Sequence, residues 1–106
     1  MPCKHLETLN EFNCALKEAG DKLVVIDFHA SWCGPCKAIA PFYQELSEQY
    51  TNVIFCKVDV DDAEEITETC VITSMPTFLF FKNEVKVSQL TGANNEKLKA
   101  LTEQHQ

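Results

Sequence analysis

The stretch KLVVIDFHASWCGPCK, residues 22–37, changes character midway. Lys22 to Ala30 is a short apolar, β-branched run of the kind a strand shows when it is covered on both faces, so it is read as central in a sheet. Beyond SWCGPCK, the apolar residues Ile39, Phe42, Tyr43, Leu46 and Tyr50 step at three and four, which marks an amphipathic helix reaching about residue 50. Pro41 is expected to kink that helix. Trp32-Cys33-Gly34-Pro35-Cys36 therefore falls where a central strand gives way to a long helix, the position at which chemistry concentrates in open α/β sheets.

Outward from this centre the elements alternate. Thr8 and Glu11 form a capping box for a helix over residues 8–19, whose Phe12, Ala15, Leu16 and Ala19 keep helical spacing until Gly20 stops it. NVIFCKVDV (52–60) is a second buried strand, and DDAEEITETC (61–70) reads as a short helix starting near Asp61 or Asp62. TFLFF (77–81) and VKVSQL (85–90), separated by Lys82-Asn83-Glu84, form an antiparallel hairpin. Asn94 or Asn95 then caps a last helix to about residue 104, with Leu98 and Leu101 facing inward. A mixed sheet with helices on both faces fits this order, and no linker or repeat divides residues 1–106, so one domain is expected.

The 106 residues are 45% hydrophobic and 24% charged, which fits a folded globular chain with one core. Nine Lys and Arg against 16 Asp and Glu leave a formal charge of −7, without a basic block. Such a surface repels phosphate backbones and anionic membranes, so neither nucleic acid nor membrane is an expected partner. The N-terminus lacks an apolar signal region and no window is long enough to span a bilayer, which points to a chain that stays in the compartment where it is made. Six cysteines without a signal peptide read as thiols of a reducing compartment rather than a secreted disulfide framework.

Cysteines three apart in a first helical turn lie near the ~5.5 Å Cα separation that a disulfide favours. Cys33, at the helix start, faces unpaired N–H groups and the positive end of the helix dipole, which stabilise a thiolate, so it is the expected attacker. Cys36, one turn in, is the expected resolving thiol. Pro35 sits where a missing N–H costs nothing and stiffens the loop. A bare C-x-x-C also suits half a zinc site or two core cysteines. Zinc needs four ligands, however, and Cys3, Cys14, Cys56 and Cys70 contain no second close pair, while His5, His29 and His105 are scattered.

Asp27 is anomalous in so apolar a strand. Buried there, it would have a raised pKa and could exchange a proton near neutral pH; the plainer alternative is a solvated face. Lys57 reads either as a snorkelling surface lysine or as a cation near Asp27. Ser74-Met75-Pro76-Thr77 puts a proline before a strand, and base rates alone favour a trans bond, since only about 5–6% of X–Pro bonds are cis.

WCGPC at 32–36, MPTF at 75–78, NVIFCKVDVDD at 52–62 and LTGANNEKL at 90–98 together resemble the thioredoxin family, in particular the cytosolic members found in animals. The resemblance implies an α/β thioredoxin fold, a central mixed β-sheet flanked by four helices. It implies a protein-disulfide reductase that maintains cell redox homeostasis, with Cys33 as nucleophile, Cys36 as resolving thiol and Asp27 as the acid/base serving Cys36. It also implies that Gly34-Pro35 is the dipeptide of reducing members, that Pro76 is cis beside the dithiol, and that Met75 offers backbone hydrogen bonds to a client. Trp32, Met75, Pro76, Gly92 and Ala93 would form a shallow docking surface, and Lys57 would help tune the site.

The implied partners are NADPH-dependent thioredoxin reductase and disulfide-containing clients such as peroxiredoxin, ribonucleotide reductase and methionine sulfoxide reductase. No cofactor or metal is expected on the chain itself. The implied location is cytoplasmic, with a nuclear or secreted fraction left open. Cys70 coincides with a family cysteine and stands as a regulatory candidate, although its plain reading is a half-buried residue near a helix end. Ala63 and Ser74 occupy positions where vertebrate members often carry regulatory cysteines, and Glu84 replaces a glycine common in the hairpin turn. A redox-regulated protein-binding module is the alternative function.

Overall fold

The apolar run Val24–His29 lies at the middle of a five-stranded sheet, buried at every position but His29. The computed structural model describes residues 3–106, ordered β1 (Cys3–His5), α1 (Leu9–Ala19), β2 (Val24–His29), α2 (Gly34–Gln49), β3 (Ile54–Asp59), α3 (Glu64–Thr69), β4 (Thr77–Lys82), β5 (Val85–Thr91) and α4 (Asn95–His105). The strands run in the order β1-β3-β2-β4-β5. β2 is parallel to β3, in a register that sets Asp27 opposite Lys57 and His29 opposite Asp59. It is antiparallel to β4, where Asp27 faces Phe78.

Alternation along β2 divides the core between two faces. Val24, Ile26 and Phe28 pack with Phe12 and Leu16 of α1, Ile66 of α3, and Cys56, Val58 and Leu79 of the sheet. Leu23 and Val25 join Ile39, Tyr43 and Leu46 of α2, Leu98 of α4, and Phe55, Phe78 and Phe80. Covered on both faces, β2 must be apolar throughout, which makes Asp27 conspicuous. Tyr43 pins α2 to the sheet, its buried hydroxyl lying 3.0 Å from the Val25 carbonyl and 2.7 Å from that of Cys56.

Local chemistry explains most boundaries. Thr8 caps α1 through its side chain, which accepts from the Glu11 N–H at 3.1 Å, and the Glu11 carboxylate accepts from the Thr8 N–H in return. Asn94, rather than Asn95, caps α4 by accepting from the Lys97 N–H at 3.0 Å. Leu98 is buried, whereas Leu101 is only half-buried. α2 runs on past Pro41 to Gln49.

One expectation is corrected, and one strand is added. α3 begins at Glu64, not at Asp61 or Asp62, because the Asp59 carboxylate accepts the Asp61 N–H at 2.9 Å and holds that segment as a turn. Strand β1 had no periodicity to announce it: three residues of mixed polarity become a strand because the open edge of β3 offers parallel partners, Cys3 pairing with Phe55 and His5 with Lys57. The hairpin closes through a two-residue turn in which Asn83 and Glu84 both have positive φ, 53° and 65°.

Candidate active site

Cys33 is the N-cap of α2, and its sulfur accepts the backbone N–H of Cys36 at 3.2 Å. The helical turn brings the two Cα atoms to 5.3 Å, and the two cysteines are joined as a disulfide. Gly34 and Pro35 fill the first helical positions between them, where the missing N–H of proline leaves no bond unmade. Both cysteines are 5% exposed, packed with Ala30 and flanked by Val60 and Met75.

The loop preceding β4 completes the surroundings. The Met75–Pro76 bond is cis, and Pro76 is buried while Met75 remains half-exposed beside the cysteines. The N–H of Gly92 donates to the carbonyl of Pro76 at 2.9 Å, drawing the loop after β5 alongside; its φ of 104° is one that glycine adopts freely. Ala93 follows, exposed. Trp32, directly before Cys33, is 65% exposed. Its indole N–H donates to Asp61 at 3.0 Å.

Beneath Cys36 opens a cleft of about 160 Å³, lined by Asp27, His29, Cys36, Lys37, Ala40 and Lys57 among others. Asp27 is 2% exposed. Burial pushes its carboxyl up to about 7, and the opposing pull of Lys57, across on β3, is the smaller effect. The solvated-face alternative is thereby excluded. Lys57 itself is half-buried, its backbone in the ladder and its side chain at the cleft.

Two residues joined the site without having been singled out. Asp61 is 29 residues from Trp32 and nothing local to either announces the contact. His29 could have been found, because it lies two positions after Asp27 and alternation puts both on one face. Cys70 is not brought to the cysteine pair: it is half-buried at the C-cap of α3 and packs against the α1 and α3 side of the core. Burial raises its thiol pKa, as it does that of Cys3.

Comparison with known proteins agrees with this geometry. The family model described as Thioredoxin matches residues 2–104. Human thioredoxin is 56% identical over 97 residues, covering 92% of each chain. The structure of Fasciola hepatica thioredoxin superposes with a TM-score of 0.96 at 39% identity, over 97% of this chain and 99% of that one. A structure described as the basis of thiol resolution in yeast mitochondrial 1-Cys peroxiredoxin via glutathione/thioredoxin systems superposes with a TM-score of 0.90 at 35% identity, over 96% and 94%. Together with the cysteine pair at the strand-to-helix junction, these likenesses place the chain in the thioredoxin family, whose members are oxidoreductases that act on protein disulfides by dithiol–disulfide exchange.

Proposed function

We propose that Cys33 attacks and Cys36 resolves in the reduction of client disulfides, with Asp27 handling the proton of Cys36. The observation that carries this assignment is the N-cap position of Cys33, whose sulfur already accepts the Cys36 N–H at 3.2 Å. Helix N-terminal N–H groups stabilise negative charge, so a reduced Cys33 is favoured as thiolate. That thiolate attacks one client sulfur, forming a mixed disulfide and expelling the other client sulfur as a thiolate, which takes a proton from solvent. Ionised Asp27 accepts the thiol proton of Cys36 through the shared cleft, and the Cys36 thiolate attacks the sulfur of Cys33. The bond from Cys33 to the client breaks, the Cys33–Cys36 disulfide forms, and two electrons have passed to the client.

Trp32, Met75, Pro76, Gly92 and Ala93 form the surface on which the client chain docks, with the backbone of Met75 offering hydrogen bonds. Gly34 and Pro35 tune the pair, and Lys57 offsets part of the burial of Asp27. Cys70, on the far side of the core, takes no part in exchange and acts only as a regulatory thiol. The oxidised form is recharged by NADPH-dependent thioredoxin reductase. Peroxiredoxins are a client class, in keeping with the yeast structure's description, as are ribonucleotide reductase and methionine sulfoxide reductases.

Residues 1–106 act as one thioredoxin domain, and the cytoplasm is the working compartment. Free Cys3, Cys14, Cys56 and Cys70 suit a reducing environment. Among the described residues no helix is long and apolar enough to cross a membrane. The test is insulin reduction with dithiothreitol: Cys33→Ser abolishes activity, and undiminished activity in that variant overturns the assignment. Cys36→Ser traps clients on Cys33 as mixed disulfides.

A further inference from the structure

Two sealed polar side-chain atoms among the described residues have no hydrogen-bond partner in the protein, Asp27 Oδ1 and His29 Nε2. Both residues line the cleft beneath Cys36, on one face of β2. Buried polar atoms are rarely left unsatisfied, and a water needs only about 10–15 Å³ with two or more polar partners. The cleft measures about 160 Å³ and adds Lys57 to those partners.

Proton traffic at Asp27 has an access problem. Asp27 is 2% exposed and Cys36 5%, so each has little direct contact with bulk water. His29 is different: its Nε2 is sealed inside, yet the residue as a whole is only half-buried. An imidazole has two nitrogens and can take a proton on one while releasing one from the other. We propose that His29 is a positioning residue that passes protons between Asp27 and solvent, through water held between Asp27 Oδ1 and His29 Nε2.

The inference rests on the acid/base role proposed for Asp27. Protonated Asp27 gives its proton to the cleft water as that water gives one to Nε2; the imidazolium then releases a proton on its solvent side. No electrons move, and Asp27 is left ionised, ready for the proton of Cys36. The charges around the ring favour this resting state. Lys57 on β3 and His5 on β1 disfavour an imidazolium, Asp59 across the ladder supports one, Lys37 lines the cleft wall, and Asp27 on the same strand is neutral only below about pH 7. Burial, with Lys57 and His5, holds the imidazole below its ordinary pKa, so Nε2 is free to accept.

The test is single-turnover oxidation of the reduced protein by a disulfide substrate, followed by the fluorescence of Trp32, the one tryptophan, from pH 6 to 9. Below about 7 Asp27 must first lose a proton, so His29→Ala is slowed there by ~10-fold or more, the size of a lost proton-transfer route, while little changes at pH 8.5. Added imidazole restores the rate of His29→Ala; His29→Gln, which preserves polarity but cannot carry the proton, stays slow at pH 6. A wild-type pH profile in His29→Ala overturns the relay, as does a pH-independent loss that glutamine repairs and imidazole does not. Asp27→Asn separates the two ideas: if it too matches wild type, the Asp27 role itself falls, whereas a slow Asp27→Asn beside a normal His29→Ala removes the relay alone.

Discussion

The indole N–H of Trp32 donates to Oδ2 of Asp61 at 3.0 Å, joining the start of the active-site turn to the loop after β3. Asp61 is held for this by its own N–H, which donates to the Asp59 carboxylate at 2.9 Å. The bond fixes the orientation of a large apolar side chain that is 65% exposed beside Cys33. An exposed hydrogen bond of this kind is worth under about 1 kcal/mol, so Asp61→Ala should raise KM for a protein client by roughly threefold with kcat little changed. An unchanged KM would separate the indole from client docking.

Asp27 makes stability depend on pH in a stated direction. Its native carboxyl sits at about 7 against an ordinary 3.8, so the folded state binds the proton more tightly than the unfolded one. Stability from this group is therefore present below about 4 and is lost as pH rises toward 7, then levels off. Asp27→Asn, which cannot ionise, should match wild type near pH 4 and exceed it by up to roughly 4 kcal/mol at pH 8 in urea unfolding. An equal difference at both pH values would contradict the burial argument. The same variant should reduce clients slowly.

Thiol reactivity should sort by burial. In the oxidised protein Cys33 and Cys36 are tied up, leaving Cys14 exposed, Cys3 and Cys70 half-buried and Cys56 buried. Burial pushes the Cys56 thiol up to about 12, which leaves very little thiolate at neutral pH. Iodoacetamide should modify Cys14 first and Cys56 at least ~100-fold more slowly until denaturant is added, as read by peptide mass spectrometry. Native labelling of Cys56 at the rate of Cys14 would rule out the packing described.

The hairpin turn carries a removable strain. Glu84 is held at φ 65°, a conformation that a side chain disfavours by about 1 kcal/mol and glycine does not. Glu84→Gly should raise stability by roughly that amount in urea unfolding and leave reduction rates unaltered. A loss of stability would mean that the glutamate side chain makes a compensating contact.

Much of this molecule is legible before folding. The two-sided burial of β2 follows from VVIDFH, the capping of α1 from Thr8 and Glu11, and the pairing of Cys33 with Cys36 from their spacing at a helix start. These are properties of neighbours along the chain, governed by periodicity, by capping and by the fixed rise of a helix. The displaced start of α3 was not legible, because a side chain–backbone bond at Asp59 competed with helix formation.

The amino-acid sequence by itself determined the order of the main elements and a dithiol poised at a strand-to-helix junction. Its likeness to the thioredoxin family extended that reading to Pro76 and Gly92. Tertiary structure alone decided that β3 sets Lys57 across from Asp27, that Asp61 reaches Trp32, that Gly92 bonds to Pro76, and that His29 and Asp27 share one cleft with Cys36. The physical reason is range. Desolvation and the pairing of buried polar atoms depend on which distant segments cover a residue, and strand order settles that only when the sheet is assembled.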